Sequence, residues 1–259
     1  MSSETPAEFI ASWTAWHTAR ERSVRAPHGI AALRFTHWLT EEATPLEGAP
    51  GTWRADDTGI VGERLTGTGL TTPSGAQIMT DRVELVHGEE LHFGDALLRG
   101  MERDGAYALR VLDPEAPTRT ALSGISAFAP DVSWIRPARF VPSPGVTVET
   151  ESIDGHVTTE TPVGRVEFTL GDEAVSLTVT GGPNGLWAVF SDGTSGDETY
   201  RFRFISMPAP TADGHVLVDF NRAYLPPCAF SDHYVCPLPA PNNRLRSRIT
   251  AGEQLPLGR

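Results

Sequence analysis

The sequence DFNRAYLPPCAF occupies residues 219–230, and it continues into CPLP at residues 236–239 and NRL at residues 243–245. This segment holds both cysteines of the chain and its densest group of prolines. It follows the apolar run at residues 216–218, which predicts a strand that ends beside it. Because proline fixes the backbone and removes a hydrogen-bond donor, the polar side chains next to it are expected to have fixed positions. We therefore predict a site beside residues 219–236.

The segment resembles the signature of the bacterial domain-of-unknown-function family 1684. The motifs that carry the resemblance are residues 219–230, 236–239 and 243–245, followed by AGE at residues 251–253. Further similar positions are Trp13, Arg20, 37–39, 122–125, 138–140, 192–196, Thr199 and Tyr200. The resemblance thus covers most of the chain, and it implies no established activity.

Two positions differ from the family pattern. Leu225 stands where the family usually has Asn, and the spacer at residues 231–235 lacks the Thr-Pro-Tyr-like run that the family often has. We therefore do not expect Leu225 or His233 to be a site residue throughout the family.

Composition limits the classes of function. The chain has 259 residues, of which 39% are hydrophobic, so that it can bury a substantial core. Its formal net charge of -12 and pI of about 5.1 argue against binding to nucleic acid or to an anionic membrane surface, since both prefer a basic face. All 21 basic residues are Arg. The lack of Lys excludes Schiff-base chemistry with pyridoxal phosphate and a phosphate loop that needs Lys.

The sequence also allows a prediction of the cellular compartment. No apolar run approaches the roughly 20 residues that cross a bilayer, and residues 1–6 lack the basic and apolar parts of a signal segment. We therefore predict an acidic cytoplasmic protein with no membrane partner, in which Cys228 and Cys236 are reduced. The sequence allows a homodimer and does not decide the oligomeric state.

A helix is predicted near the N-terminus. Residues 5–8, Thr-Pro-Ala-Glu, combine a capping Thr, a Pro at the first helical position and a Glu placed for a capping box. Phe9, Trp13 and Trp16 recur at helical spacing until Pro27 ends the pattern. The pattern predicts an amphipathic helix that covers a β core, and the alternative is a helix that binds a partner or a membrane.

The remaining sequence has the alternation of β structure. From about residue 59, short runs with a period of two are separated by Gly, Pro and Asp, and Asp104-Gly105 predicts a hairpin turn. Two of the later runs are residues 199–205 and 215–220. The pattern predicts a mainly β fold, in which an antiparallel meander forms a barrel or sandwich-like core. We expect a single family domain over residues 1–259, with 1–141 and 142–259 as two lobes if it divides.

The cysteine segment allows several kinds of chemistry. Three side chains of the types that bind zinc lie within nine residues: Cys228, His233 and Cys236. His37 or His215 could supply a fourth ligand. Cys228 could instead be a nucleophile with His233 or His37 as its base, or it could form a disulfide with Cys236 worth roughly 2.5 kcal/mol. The two thiols could also pack as small hydrophobic groups. We expect no cofactor, with zinc as the alternative.

Asp219, Asn221 and Arg222 follow the predicted strand directly. On a strand, Asp219 and Asn221 would share one face, and Arg222 would lie on the other face with Phe220. Arg222 could bind a carboxylate or phosphate through its planar fork, or it could hold the carbonyl groups of the proline-rich loop. We expect a mainly structural role for Arg222.

These observations favour a protein that binds a small polar or anionic molecule in a pocket beside residues 219–236. The alternatives are a hydrolase that uses Cys228 or a bound metal, and an interaction module without a ligand, so that catalysis is left open. The predicted ligand-binding residues are Arg20, Trp38, Asp219, Asn221, Arg222, Tyr224, Cys228, Cys236, Asn243 and Arg244.

Overall fold

The computed structural model describes residues 5–258, which form two compact units. The larger unit consists of residues up to Glu21, 123–229 and 235–258, and the smaller unit consists of residues 22–122 and 230–234. These bounds differ from those of the predicted lobes, because the strand at residues 135–142 pairs with two strands of the larger unit. The expectation of a single family domain stays a prediction.

The smaller unit contains nine strands in two antiparallel sheets. They are β1 Leu33–Trp38, β2 Thr44–Leu46, β3 Ala49–Asp56, β4 Gly59–Glu63, β5 Leu70–Thr71, β6 Arg82–Leu85, β7 Glu90–Phe93, β8 Ala96–Arg103 and β9 Ala106–Leu112. The sheet orders are β1-β9-β8-β7-β5 and β2-β3-β4-β6. The predicted hairpin turn is confirmed: Asp104 and Gly105 join β8 to β9 with φ angles of 51° and 82°. A short helix, α2 Pro117–Thr120, follows β9.

The larger unit contains the other ten strands of the described residues. They are β10 Gly124–Ala127, β11 Ile135–Pro142, β12 Val148–Glu151, β13 Val157–Glu160, β14 Gly164–Leu170, β15 Glu173–Gly182, β16 Gly185–Phe190, β17 Arg203–Pro208, β18 His215–Asp219 and β19 Glu253–Leu257. Six of these strands form one antiparallel sheet in the order β17-β16-β15-β14-β11-β18. Its two end strands, β17 and β18, contact each other, so that the sheet is barrel-like and nearly closed. The prediction of a mainly β fold with an antiparallel meander is confirmed.

The alternation in the sequence places the core inside this sheet. Along β14, Val166, Phe168 and Leu170 are buried while the residues between them are exposed. Phe220, directly after β18, packs against the rings of Phe168 and Phe190 at centroid distances of 5.8 and 5.7 Å. The segment that follows β18 is therefore anchored in the core by an aromatic side chain.

The N-terminal helix α1 extends over Pro6–Val24, and its predicted capping box is present. Thr5 N donates to Glu8 Oε2 at 2.8 Å, and Glu8 N donates to Thr5 Oγ1 at 3.3 Å. Phe9 is buried, and Trp13 Nε1 donates to the carbonyl oxygen of Asn221 at 2.8 Å. This helix therefore reaches the segment that begins at Asp219. No helix within residues 5–258 has the length and apolar character needed to cross a bilayer.

Two predicted strands have different bounds in the structure. The run at residues 199–205 becomes a strand only from Arg203, because Thr199 N donates to the carbonyl oxygen of Thr194 and closes a compact turn. The run at residues 215–220 ends at Asp219, because its carboxylate caps a 3-10 helix at Phe220–Arg222. The alternation of strand faces therefore does not apply after Asp219.

Candidate ligand-binding site

Tyr224 is placed beside strand β17 by backbone hydrogen bonds. The 3-10 helix ends at Arg222, and the next residue, Ala223, has extended backbone angles, so that the chain can run along the sheet. Tyr224 N donates to the Phe204 carbonyl oxygen, and Phe204 N donates to the Tyr224 carbonyl oxygen, each at 2.8 Å. The position of Tyr224 is therefore set by the sheet and by the buried ring of Phe220 that precedes it.

Four neighbouring side chains hold the ring of Tyr224. The Phe204 ring meets it edge-on at 5.8 Å, and the Arg20 guanidinium lies 5.2 Å from its centroid. Its hydroxyl group accepts a hydrogen bond from Trp187 Nε1 at 3.1 Å and lies 3.3 Å from Ser206 Oγ. Arg20 and Tyr224, which are both predicted site residues, therefore lie together, whereas Trp187 and Ser206 were not predicted.

Beside Tyr224 lies a cleft of about 340 Å³, which we call the Trp187 cleft. It is lined by Gly181, Gly182, Pro183, Asn184, Gly185, Leu186, Trp187, Ser206, Met207 and Tyr224. Its lining has two aromatic rings, two hydroxyl groups and one amide, and it has no charged side chain. A second, much smaller cavity of about 30 Å³ also uses Trp187 and includes Asn243, Pro237 and Leu238. Of these two cavities, the Trp187 cleft has the volume of an ordinary ligand site. A larger, more open groove of about 460 Å³ lies in the smaller unit beside Pro73, Glu84 and Glu90.

Arg20, which lies over the Tyr224 ring, is held by an acidic partner. Its Nε lies 3.3 Å from Glu253 Oε1, and a terminal nitrogen donates to the Leu225 carbonyl oxygen at 2.8 Å. Glu253 Oε2 accepts a hydrogen bond from Leu225 N at 2.7 Å. Burial raises the pKa of Glu253, and the charge of Arg20 opposes this rise. The pair thus fixes the backbone of Leu225, the residue that follows Tyr224.

Asp219, Asn221 and Arg222 form a connected polar group. Asp219 accepts hydrogen bonds from Asn221 N and Nδ2 and pairs with Arg222 Nε at 3.2 Å. The buried side chain of Asn221 exchanges two hydrogen bonds with the Asp131 backbone, each 2.9 Å long. Arg222 also donates to Ser12 Oγ of α1 at 2.8 Å. Arg222 therefore contacts the helix and Asp219 rather than the loop carbonyl groups that the sequence suggested.

Asn243 and Arg244 lie in the loop after the second proline motif. The amide of Asn243 is buried and bonds both N and O of Thr178 and the carbonyl oxygen of Val189, at 2.7 to 3.0 Å. It therefore ties the loop to strands β15 and β16. Arg244 is exposed, and its Nε donates to the Pro239 carbonyl oxygen at 3.2 Å.

Cys228 and Cys236 lie together and are buried, and neither is in a disulfide. Cys228 N donates to Cys236 Sγ at 3.3 Å. A hydrogen bond from Cys236 lowers the pKa of Cys228 to about 7, against the effect of burial, with help from Tyr200 and Arg201. The Tyr200 hydroxyl donates to the Cys228 carbonyl oxygen at 3.1 Å, and burial raises the pKa of Tyr200 to about 12. The two thiols therefore form a pair in which that of Cys228 ionises near neutral pH.

Other predicted residues belong to the smaller unit. His233 meets the ring of Phe35 edge-on at 5.6 Å, and Trp38 is 39% exposed with Arg103 over its ring. Within residues 5–258, no three His, Cys, Asp or Glu side chains are grouped as a metal site would need. The zinc alternative and the expectation of no cofactor remain predictions.

A buried ion pair in the larger unit was not predicted from the sequence. Arg203 and Asp192 have fully buried side chains, and they are joined by a hydrogen bond of 2.7 Å. Asp192 also accepts hydrogen bonds from Thr194 N and Oγ1, at 2.8 and 2.7 Å. Asp192 does lie in the motif at residues 192–196 that contributes to the family resemblance, but the sequence alone does not show that its partner is Arg203.

The larger unit is thus a mainly β domain with a barrel-like sheet, a long N-terminal helix and an uncharged cleft. The profile of the family described as "Protein of unknown function (DUF1684)" matches residues 120–254. The chain belongs to this family. The resemblance at the positions before residue 120, and the details of the signature, remain predictions.

The other comparisons add little about function. The chain is similar to an uncharacterized protein of Haloarcula marismortui with a solution NMR structure, at 28% sequence identity and a TM-score of 0.44. The similarity covers 54% of this chain and 81% of that one. A comparison with curated proteins finds no match.

Proposed function

We propose that the protein binds a small, neutral, polar molecule in the Trp187 cleft. The observation that carries this proposal is the combination of a volume of about 340 Å³ with a lining of two aromatic rings and two hydroxyl groups. Ligand sites in proteins are typically clefts of about 300 to 1,000 Å³ with apolar walls and a few well-placed polar groups. The cleft meets both criteria, and its volume lies near the lower end of this range.

The lining favours a neutral ligand over the anionic one that the sequence also allowed. An anion needs a cation or several donors directed at it, and no Arg or His lines the cleft. The guanidinium of Arg20 lies over the Tyr224 ring, and it is already paired with Glu253. Arg222 is likewise paired with Asp219. A charged ligand would therefore lose its hydration without gaining a partner.

The two hydroxyl groups and the indole ring suggest how the ligand is held. The hydroxyl of Tyr224 and that of Ser206 can each donate or accept, while Trp187 offers an aromatic surface. The backbone contacts of Tyr224 with Phe204 hold its ring in position before binding, which lowers the entropic cost of association. A compact ring compound with hydroxyl or amide groups matches this arrangement.

The alternatives from the sequence have weaker support. A hydrolase with Cys228 as nucleophile would have to bring an ester or amide to a residue that is 2% exposed. Cys228 does not line the Trp187 cleft. An interaction module without a ligand would give no binding in the experiment below. The cytoplasmic location and the homodimer remain predictions from the sequence.

Filling the cleft should abolish binding without unfolding the protein. Ser206 is exposed on β17, so Ser206→Phe adds a ring to the cleft wall at a stability cost of about 0.5 kcal/mol or less. We expect a screen of small neutral and anionic compounds by thermal shift to give neutral hits for the unmodified protein, and Ser206→Phe to lose them. Isothermal titration should then show at least a roughly hundredfold loss of affinity.

The matched control is Thr169→Phe, which adds the same ring at an exposed position of β14. This variant should bind as the unmodified protein does. Hits that survive in Ser206→Phe, or hits that are all anionic, would contradict the proposed site.

A further inference from the structure

The cysteine pair is a second feature of the larger unit, and it is separate from the Trp187 cleft. Cys228 lies in the 3-10 helix Pro227–Ala229, and its N–H group contacts the sulfur of Cys236 at 3.3 Å. Since the N–Cα bond is about 1.46 Å, the Cys228 Cα lies within about 4.8 Å of that sulfur. A disulfide joins cysteines whose Cα atoms are about 4.4 to 6.8 Å apart, and a Cys236 sulfur this near the Cys228 Cα places the two residues side by side.

The groups around the pair favour the thiolate of one member. The titratable or charged side chains that act on Cys228 are those of Cys236, Tyr200 and Arg201. Cys236 donates to the Cys228 sulfur, and this is the main reason that the pKa of Cys228 falls to about 7. The Tyr200 hydroxyl stays protonated, because its own pKa is raised to about 12. A thiolate at neutral pH beside a second thiol is the arrangement of an attacking and a resolving cysteine.

We propose that Cys228 and Cys236 form a peroxide-reactive site that converts reversibly between a dithiol and a disulfide. The co-reactant is a hydroperoxide. The Cys228 thiolate attacks the terminal oxygen, the O–O bond breaks, and the leaving oxygen takes a proton to give water or an alcohol. Cys228 is then a sulfenic acid. The Cys236 sulfur attacks the Cys228 sulfur, the S–O bond breaks, and the hydroxide leaves as water with the Cys236 proton. A thiol reductant returns both residues to thiols.

Burial selects the oxidant. Cys228 is 2% exposed and Cys236 is 4% exposed, so that a large reagent has little access to either sulfur. Bulky disulfide reagents should react slowly with the native protein, in contrast to hydrogen peroxide. This selectivity separates the proposed site from a pair of surface thiols.

The direct test is the mass of the intact protein after treatment with hydrogen peroxide. The chain has two cysteines, so the assignment is unambiguous. We expect the loss of the mass of two hydrogen atoms, full recovery with dithiothreitol, and a cross-linked peptide that joins residues 228 and 236. Cys236→Ser should stop at a sulfenic acid on residue 228, which dimedone traps, and Cys228→Ser should give neither product.

The pH dependence gives a second readout that does not depend on the variants. A thiol with a pKa of about 7 should react about twofold faster at pH 8 than at pH 7, whereas a thiol with a pKa of 9 should react about ninefold faster. The proposal is overturned if hydrogen peroxide leaves the mass unchanged, if it adds oxygen without forming the disulfide, or if the rate rises about ninefold. None of these results bears on ligand binding in the Trp187 cleft.

Discussion

Replacing Arg203 with Met is expected to lower the free energy of unfolding by about 3–5 kcal/mol. The side chains of Arg203 and Asp192 are both fully buried and are joined at 2.7 Å. Arg203 also donates to the backbone carbonyl oxygens of Ile249, Ala251 and Glu253. Met has a similar volume, so that the loss comes from an unpaired buried carboxylate and unpaired carbonyl groups rather than from a cavity. Urea denaturation followed by circular dichroism measures the change.

The control is Arg165→Met on strand β14. Arg165 and Glu167 also form an ion pair, but their side chains are 48% and 45% exposed. Exposed pairs contribute about 0–1 kcal/mol, so that this variant should unfold almost as the unmodified protein does. Equal losses in the free energy of unfolding for the two variants would show that burial is not the reason that the Arg203 pair is stabilising.

Replacing Arg20 with Met should give a loss of about 3–5 kcal/mol at neutral pH and a much smaller loss in mild acid. Glu253 is fully buried and pairs with Arg20. Burial already raises the pKa of Glu253 in the folded state, and removing the opposing charge of Arg20 raises it further. The folded variant then binds a proton more tightly than the unfolded chain, in which the pKa of Glu is about 4.3.

The direction of the pH effect follows from this difference. Below the unfolded pKa, Glu253 is protonated in both states and the variant carries no charge penalty. As the pH rises from there through the raised folded pKa, the stability of the variant falls. We expect melting curves from about pH 4 to 7 to separate steadily from those of the unmodified protein. Arg22→Met, on an exposed position of the same helix, should show no such separation, and a constant difference for Arg20→Met would contradict the buried pairing.

The parts of the fold that depend on neighbouring residues could be predicted from the sequence. The capping box of α1 lies within residues 5–8, and the Asp104-Gly105 turn joins adjacent strands. The alternation along β14 likewise requires only one strand. The family signature at residues 219–230 includes Tyr224, which lines the Trp187 cleft.

The rest depends on contacts between distant residues. The hydrogen-bond partners of Arg203 lie between 11 and 50 residues away along the chain. The sequence pattern of strand β17 therefore does not reveal them. The change of direction at Asp219 comes from a side-chain cap that competes with the strand, so the predicted faces of Asn221 and Arg222 were wrong. Trp187 becomes a cleft residue only because Tyr224 is brought to its indole nitrogen.

The most direct test of ligand binding uses the indole N–H signals of the six Trp side chains in a nitrogen-15 NMR spectrum. The Trp187 indole donates to Tyr224, whereas those of Trp13 and Trp53 donate to backbone carbonyl oxygens outside the cleft lining. Titration with a neutral polar compound selected by thermal shift should move the Trp187 signal in a saturable way and leave the other two in place. Saturable binding that moves Trp13 or Trp53 while Trp187 stays unchanged would contradict the proposed site.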